Sequence, residues 1–327
     1  MCDLFFLHSF GAQKKIMYKT SIKILGLAVL LNFSSCTNDE NVITTENVSS
    51  NKTSASDLKI LLKNYNNNFK STNIYQDPAS KKKWWQVVGQ VAAIATGDAG
   101  GAASMVWIAQ GAAGVVGAAT AGTGWAVISV GAGVIGAVGG SYAAYCSTGG
   151  HCRGTFNNTS PEGASVIYDF PREFDHLENV GVLHNAGLQT IYMDGNTVNE
   201  LEWANNNIPG LKSSDFEKIY NSPDFKKGAE LIKTISAEYK NSDYDVQALV
   251  KAYRDNGLIN GNCYDILSLY FEATKQSENF EDYNNITKYY VEQVANSKLS
   301  DIEKESLLSA FSVSIQSFYY WLNMESE

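Results

Sequence analysis

Charge is almost missing from one long stretch of this chain: the 67 positions between Trp84 and Cys152 hold a single acid, Asp98, and no lysine or arginine. Alternation of apolar and polar residues is missing too, apart from residues 164–169, which excludes a large sheet. Cysteine is scarce, at five in 327 residues, and Cys146, His151 and Cys152 lack a fourth ligand at familiar metal spacing. A basic surplus is also lacking. The chain carries 25 Lys+Arg against 34 Asp+Glu, net −9, and beyond residue 36 the balance is 21 against 33, net −12. That sign disfavours nucleic acid as a partner. No grouping of nucleophile, base and orienting group stands out, so neither an enzyme, a metal nor a cofactor is expected.

Glycine and alanine fill the uncharged stretch. Ala132, Gly136, Gly140 and Ala144 form a small-residue ladder at i, i+4, and Gly97 with Gly101 repeats the spacing. Such a ladder lets two helix backbones touch. Residues 102–120 and 125–145 each approach the roughly twenty residues that cross a hydrocarbon core. The short linker 121–124 makes them an antiparallel helical hairpin. Lys81, Lys82, Lys83, Trp84 and Trp85 precede it, while Tyr142, Tyr145 and Arg153 close its far end, the flanking expected at a membrane interface. A lipid bilayer is therefore an expected partner, with self-association through the glycine stripes. Asp98, among Gly97, Gly100 and Gly101, is expected to break the chain between a lead helix and the hairpin, because a carboxylate is costly in lipid.

The N-terminal region reads as an address. Lys19 and Lys23 lead into the apolar run 24–33 and then Ser34-Ser35-Cys36, the layout of a signal peptide whose apolar core is too short for a permanent span. Residues 1–36 are set apart from the fold on this reading, and the polar segment 37–56 is a disordered tether. Residues 57–83, with Lys59, Lys63, Lys70 and Lys81 to Lys83 against Asp57 and Asp77, form a basic helix and linker suited to an anionic lipid surface. The hairpin region is 84–153.

From about residue 160 to 327 the pattern is that of amphipathic helices, and an all-α bundle of about six is expected. Ser222-Pro223 reads as an N-cap followed by proline at the first helical position. Ser214 with Glu217 and Ser300 with Glu303 have capping-box spacing, and Asn256-Gly257 closes a helix. Leu307, Phe311, Ile315, Phe318 and Leu322 repeat along one face of the last helix. In an exported protein Cys146 and Cys152 make a small-loop disulfide candidate. Cys263 reads as a small buried residue, and His184 as a hydrogen-bonded anchor of the first bundle helix.

Several segments resemble known sequences. The residues before Cys36 resemble a bacterial lipobox, which implies lipidation of Cys36, and the acidic Asp39 and Glu40 after it resemble the surface-export signal of Bacteroidota lipoproteins. The run 111–140 is similar to the glycine-zipper peptides of class II bacteriocins, which implies a membrane-permeabilising, antagonistic factor on the outer membrane. Residues 178–188 and 299–310, with Tyr320-Trp321, resemble matching positions in a Bacteroidota surface lipoprotein family. That likeness implies a helical C-terminal domain and no particular activity. The other function class compatible with these features is a non-enzymatic cell-surface binding or adhesion module, recognising an unknown protein partner, with the glycine region as a structural spacer.

Overall fold

A computed structural model describes residues 52–69, 78–118, 122–147, 169–193, 198–211, 214–239 and 245–324. Cys36, Cys152, the signal segment, most of the tether and the extended piece expected at 164–168 lie outside the described residues. The fold is all-α. Its helices are α1 (Ala55–Asn68), α2 (Pro78–Val116), α3 (Gly122–Ser147), α4 (Val180–Leu188), α5 (Glu200–Asn207) and α6 (Ser214–Tyr220). They continue with α7 (Pro223–Glu238), α8 (Val246–Asp255), α9 (Gly261–Thr274), α10 (Phe280–Ala295) and α11 (Asp301–Met324). The only extended pairing among the described residues is an isolated bridge between Thr53 and Ser297. Among the described residues eight α-helices, α4 to α11, follow residue 160 where about six were expected; α5 and α6 have 8 and 7 residues, too short for a clear period.

Local chemistry sets many boundaries. Ser222 caps α7 by accepting from the Phe225 amide, with Pro223 at the first helical position. At the start of α11 the Glu303 carboxylate accepts from the Ser300 amide at 2.8 Å and from its hydroxyl at 2.7 Å. Two helices end in the same way. Gly117 after α2 and Gly257 after α8 take φ of 70° and 71°, and the next amides, of Ala118 and Leu258, return to Ala113 O and Tyr253 O, both at 2.9 Å.

The hairpin and the bundle are one body, since every described residue belongs to a unit running from Asn51 to Glu327. Helix α2 is its axis, packed chiefly against α3 and α11 and also against α6, α7 and α8. In the apolar stretch Val91–Val116, 83% of the most apolar window is buried, and in Gly124–Ser147 the figure is 78%. By length and composition both can cross a bilayer, yet here they are the inner helices of a sheathed bundle. Helix α11 is buried on nearly all sides: Ser306, Ser309, Ser312, Ser314, Gln316 and Ser317 are as inaccessible as Leu307 and Phe311. Its serine row is an interior surface.

An aromatic layer joins α9, α10 and α11. Tyr270 meets Tyr290 and Phe311, while Tyr283 stacks on Phe318 at 4.3 Å. Their hydroxyls are matched inside the core, Tyr283 with Ser314 Oγ at 2.6 Å and Tyr270 with Thr287 Oγ1 at 2.9 Å. Helix α1 closes the outside of this layer. Asn66 donates to Leu269 O and accepts from the Tyr290 hydroxyl, both at 2.8 Å, and Lys59 pairs with Asp265 at 2.9 Å. That ion pair takes Lys59 out of the basic patch expected to meet lipid.

A methyl group on Gly101 would stand 2.4 Å from Gly136 O, whereas one on Gly111 would meet nothing within 4 Å. Gly101→Ala is thus expected to lower stability by about 1–3 kcal/mol through forced separation of α2 and α3, and Gly111→Ala to raise it by about 0.4–1 kcal/mol. Urea unfolding of the two variants beside the parent chain checks both signs.

Candidate functional site

Two small-residue stripes meet where α2 and α3 cross. A Cβ on Gly136 would lie 2.3 Å from Gly101 O, and one on Gly140 would lie 2.9 Å from Gly97 O. A Cβ on Gly97 would lie 3.4 Å from the Ala144 methyl of α3, and Ala132 is buried on α3 as well. The stripes are therefore occupied within the chain. Other hairpin glycines are seats for particular side chains of the sheath: Tyr253 lies on Gly100, and Leu211 with Phe216 lies on Gly131. Tyr253 also bonds to Ser236 Oγ at 3.0 Å and donates to Gly97 O at 3.3 Å.

Asp98 does not break the chain. It lies inside α2, fully buried, and accepts a hydrogen bond from Ser317 Oγ of α11. The neighbouring glycines suggest a turn by composition, but α2 continues through them because α3, α8 and α11 close on a helix with almost no side-chain bulk there. Burial pushes the Asp98 carboxyl well above its ordinary range, and the nearby Ser317, Ser141 and Trp321 donors pull the other way without cancelling it. Of these only Ser317 reaches hydrogen-bond geometry. Asp98 Oδ1, Ser141 Oγ, Trp321 Nε1 and His184 Nε2 have no hydrogen-bond partner among the described residues. His184, on α4, is 3.7 Å from Asp98 Oδ2.

The expected membrane-interface aromatics at the end of α3 are also used internally. Tyr145 stacks on Trp321 at 4.7 Å and Tyr142 on Tyr192 at 4.2 Å. Lys81, Lys82, Lys83, Trp84 and Trp85 fall on the first turns of α2, joined without interruption to the apolar part, so residue 84 is no boundary. Cys146 is disulfide-bonded. Cys263 is a buried free thiol, pushed upward in pKa by burial and by Glu303 nearby, so it is not an activated nucleophile. Its amide is bonded to Asn260 Oδ1 at 2.8 Å, and no bond joins it to His184 among the described residues. Among those residues there is also no group of three or more His, Cys, Asp or Glu able to hold a metal ion.

Beside α3 runs a cleft that sequence reading missed. Two adjoining cavities, of about 350 and 660 Å³, share Gly139 and Lys233. Gly136 and Gly139 of α3 lie in its lining with Phe225 and Ala229 of α7, while Tyr142, Tyr192 and Tyr220 supply aromatic surface. Glu200 holds the polar side together. It accepts from Tyr192 Oη at 2.7 Å, from Tyr220 Oη at 3.4 Å and from Lys233 Nζ at 3.4 Å. Burial alone would raise the Glu200 carboxyl, but the Tyr192 hydroxyl and the Lys233 charge outweigh it and hold the group below its ordinary value. Its partners come from 8, 20 and 33 residues away, so only folding brings them together. An ionised carboxylate, an ammonium and flat aromatic faces suit reversible binding of a polar or amphipathic ligand.

Comparison with protein-family models, with curated proteins and with solved structures returned no match to this chain.

Because Glu200 is held low in the fold, its contribution to stability is complete above its ordinary value of 4.5 and is lost as pH falls through the folded value. Lys233→Met removes one of the groups holding it low, so the folded and unfolded values draw together and the loss of stability on acidification is expected to be smaller than in the parent. Urea midpoints measured from pH 3 to pH 7 show the difference. Tyr192→Phe is expected to cost about 1 kcal/mol at neutral pH in the same measurement.

Proposed function

We propose that this chain is a lipid-anchored, surface-exposed bacterial binding module without enzymatic activity, in which the glycine hairpin is the structural core and the cleft along α3 is the contact surface. The observation that carries this reading is the commitment of the hairpin to the fold. Its stripes pair with each other, Gly100 and Gly131 seat side chains from α8, α6 and the segment before α6, and its polar centre is completed by α4 and α11. A composition that suggests membranes is accounted for by helices at backbone contact. The lipobox-like sequence ending at Cys36 supports anchoring, and the acidic segment after it supports display on the outer membrane.

A second reading keeps the hairpin as a membrane-interacting, bacteriocin-like element stored inside its own bundle. Two observations favour it: both helices are long and apolar enough to span, and their mutual contacts lie within the hairpin. The pair can therefore leave together, with its internal packing intact. Self-association through the stripes would require the two helices to part first.

Limited proteolysis of the full chain and dye release from anionic liposomes separate the two. The binding-module reading expects residues 91–147 to resist protease without lipid, and to stay protected, with no dye release, when liposomes are added. Dye release accompanied by new cleavage in the sheath helices would overturn it in favour of the stored hairpin.

A further inference from the structure

The Asp98 and His184 pair has a geometry that fixes its proton content. Both side chains have no solvent exposure. The amide of Asn185 donates through Nδ2 to Gln316 O at 3.1 Å, which leaves its Oδ1 to accept at 2.9 Å from His184 Nδ1. Hydrogen therefore sits on Nδ1, and Nε2 turns its lone pair toward the Asp98 carboxyl. An ionised Asp98 would set an anionic oxygen against that lone pair where no water reaches. The groups facing the pair from the packed elements are Ser141 of α3, Asn185 of α4, and Ser317 and Trp321 of α11. The titratable groups beyond these that feel Asp98 are Tyr253 of α8 and Tyr283 of α10, both neutral phenols. No lysine or arginine is paired with Asp98 among the described residues.

We infer that Asp98 and His184 together bind one proton as a fixed constituent of the folded core, so that the interior carries neither a lone carboxylate nor a doubly protonated pair at neutral pH. Burial acts in the same sense on each partner. It drives the Asp98 carboxyl up and the His184 imidazole down, to about 4, against the smaller upward effect of the Asn185 bond. Whether the proton rests on the carboxyl or on Nε2, the pair holds one.

The consequence for pH is a property of the pair. In the unfolded chain Asp98 loses its proton at about 4 and His184 at about 6.5, so the two groups hold one proton between those values and none above. The folded pair holds one across the whole range up to the raised value of Asp98. Proton counts match between about pH 4 and pH 6.5, and the pair adds no pH dependence there. Above about 6.5 the folded state holds one more, and the folding constant falls by up to about tenfold per pH unit from this source.

Single substitutions expose the two halves with opposite signs. Asp98→Asn leaves a buried neutral imidazole, whose stabilisation is lost as pH falls from about 6.5 toward 4. His184→Gln leaves a buried neutral carboxyl, whose stabilisation is lost as pH rises above about 4. Proton release on thermal unfolding of the full chain, measured by calorimetry in buffers of different ionisation enthalpy, reads this directly. At pH 8, D98N is expected to release about one proton fewer than the parent and H184Q the same number. At pH 5.5, D98N is expected to release about one fewer and H184Q about one more. Equal release by D98N and the parent at pH 8 would overturn the inference. The ¹⁵N shifts of the His184 ring in the unsubstituted chain give a test that needs no variant to fold. Nδ1 is expected to stay protonated and Nε2 not to titrate between pH 5.5 and pH 8, and an ordinary histidine titration in that range would equally refute a shared proton.

Discussion

The contact of backbone on backbone at Gly101 and Gly136 is the constraint on which the rest of the architecture depends. With no Cβ on either side, α2 and α3 approach until one helix's carbonyl oxygen occupies the place of the other's side chain. Each helical glycine costs up to about 1 kcal/mol relative to alanine in helix propensity. Closer dispersion contacts along two long helices offset that cost. A thin α2 then lets α11 come in from another side, and a thin interface is better filled by serine than by leucine. The serine row of α11 and the glycine ladder of α3 are two expressions of one requirement, that the axis of the bundle be narrow.

Narrow interfaces of glycine and alanine have a weakness, because a stripe repeating every four residues fits nearly as well when shifted by one turn. The polar centre removes that ambiguity. Asp98 meets Ser317 of α11 and faces His184 of α4, and the Asn185 amide ties α4 back to Gln316. A one-turn slip of α2 would part the carboxyl from Ser317, and an unmatched buried polar group costs several kcal/mol. Buried polar groups that select one register at some expense of stability are known in coiled coils. Tyr253, lying on Gly100 with its hydroxyl on Gly97 O, adds a second marker of the same register.

How much of this was legible in the sequence depended on the distance over which each feature is determined. The caps at Ser222-Pro223, Asn256-Gly257 and Ser300 with Glu303 use residues within a few positions, and the all-α class follows from periodicity within single helices. The glycine stripes were visible as stripes, but the same spacing serves a membrane hairpin and a buried one. Which case holds is decided by α11, far along the chain. Asp98 reads as a helix breaker because its glycine neighbours are local, whereas the Ser317 that makes its burial tolerable is 219 residues away. Tyr142 and Tyr145 have the amphipathic character of interface anchors, and only Tyr192 and Trp321 show that their surroundings are protein. Glu200 drew no notice for a similar reason, since an acid in a first helical turn is ordinary until Tyr192, Tyr220 and Lys233 converge on it.

The separation of α11 from the hairpin along the chain gives the fold an order of assembly. The hairpin helices lie close in sequence and can pair as soon as both exist, a low-cost local closure. The helix that covers their other side is made only after α4 to α10. Until it arrives, two long apolar surfaces remain uncovered, the kind of transient exposure that leads growing chains to associate. Loss of α11 would prolong that interval indefinitely. Helix α11 therefore acts as the closing stave, deciding whether the hairpin before it is a covered core or a sticky intermediate.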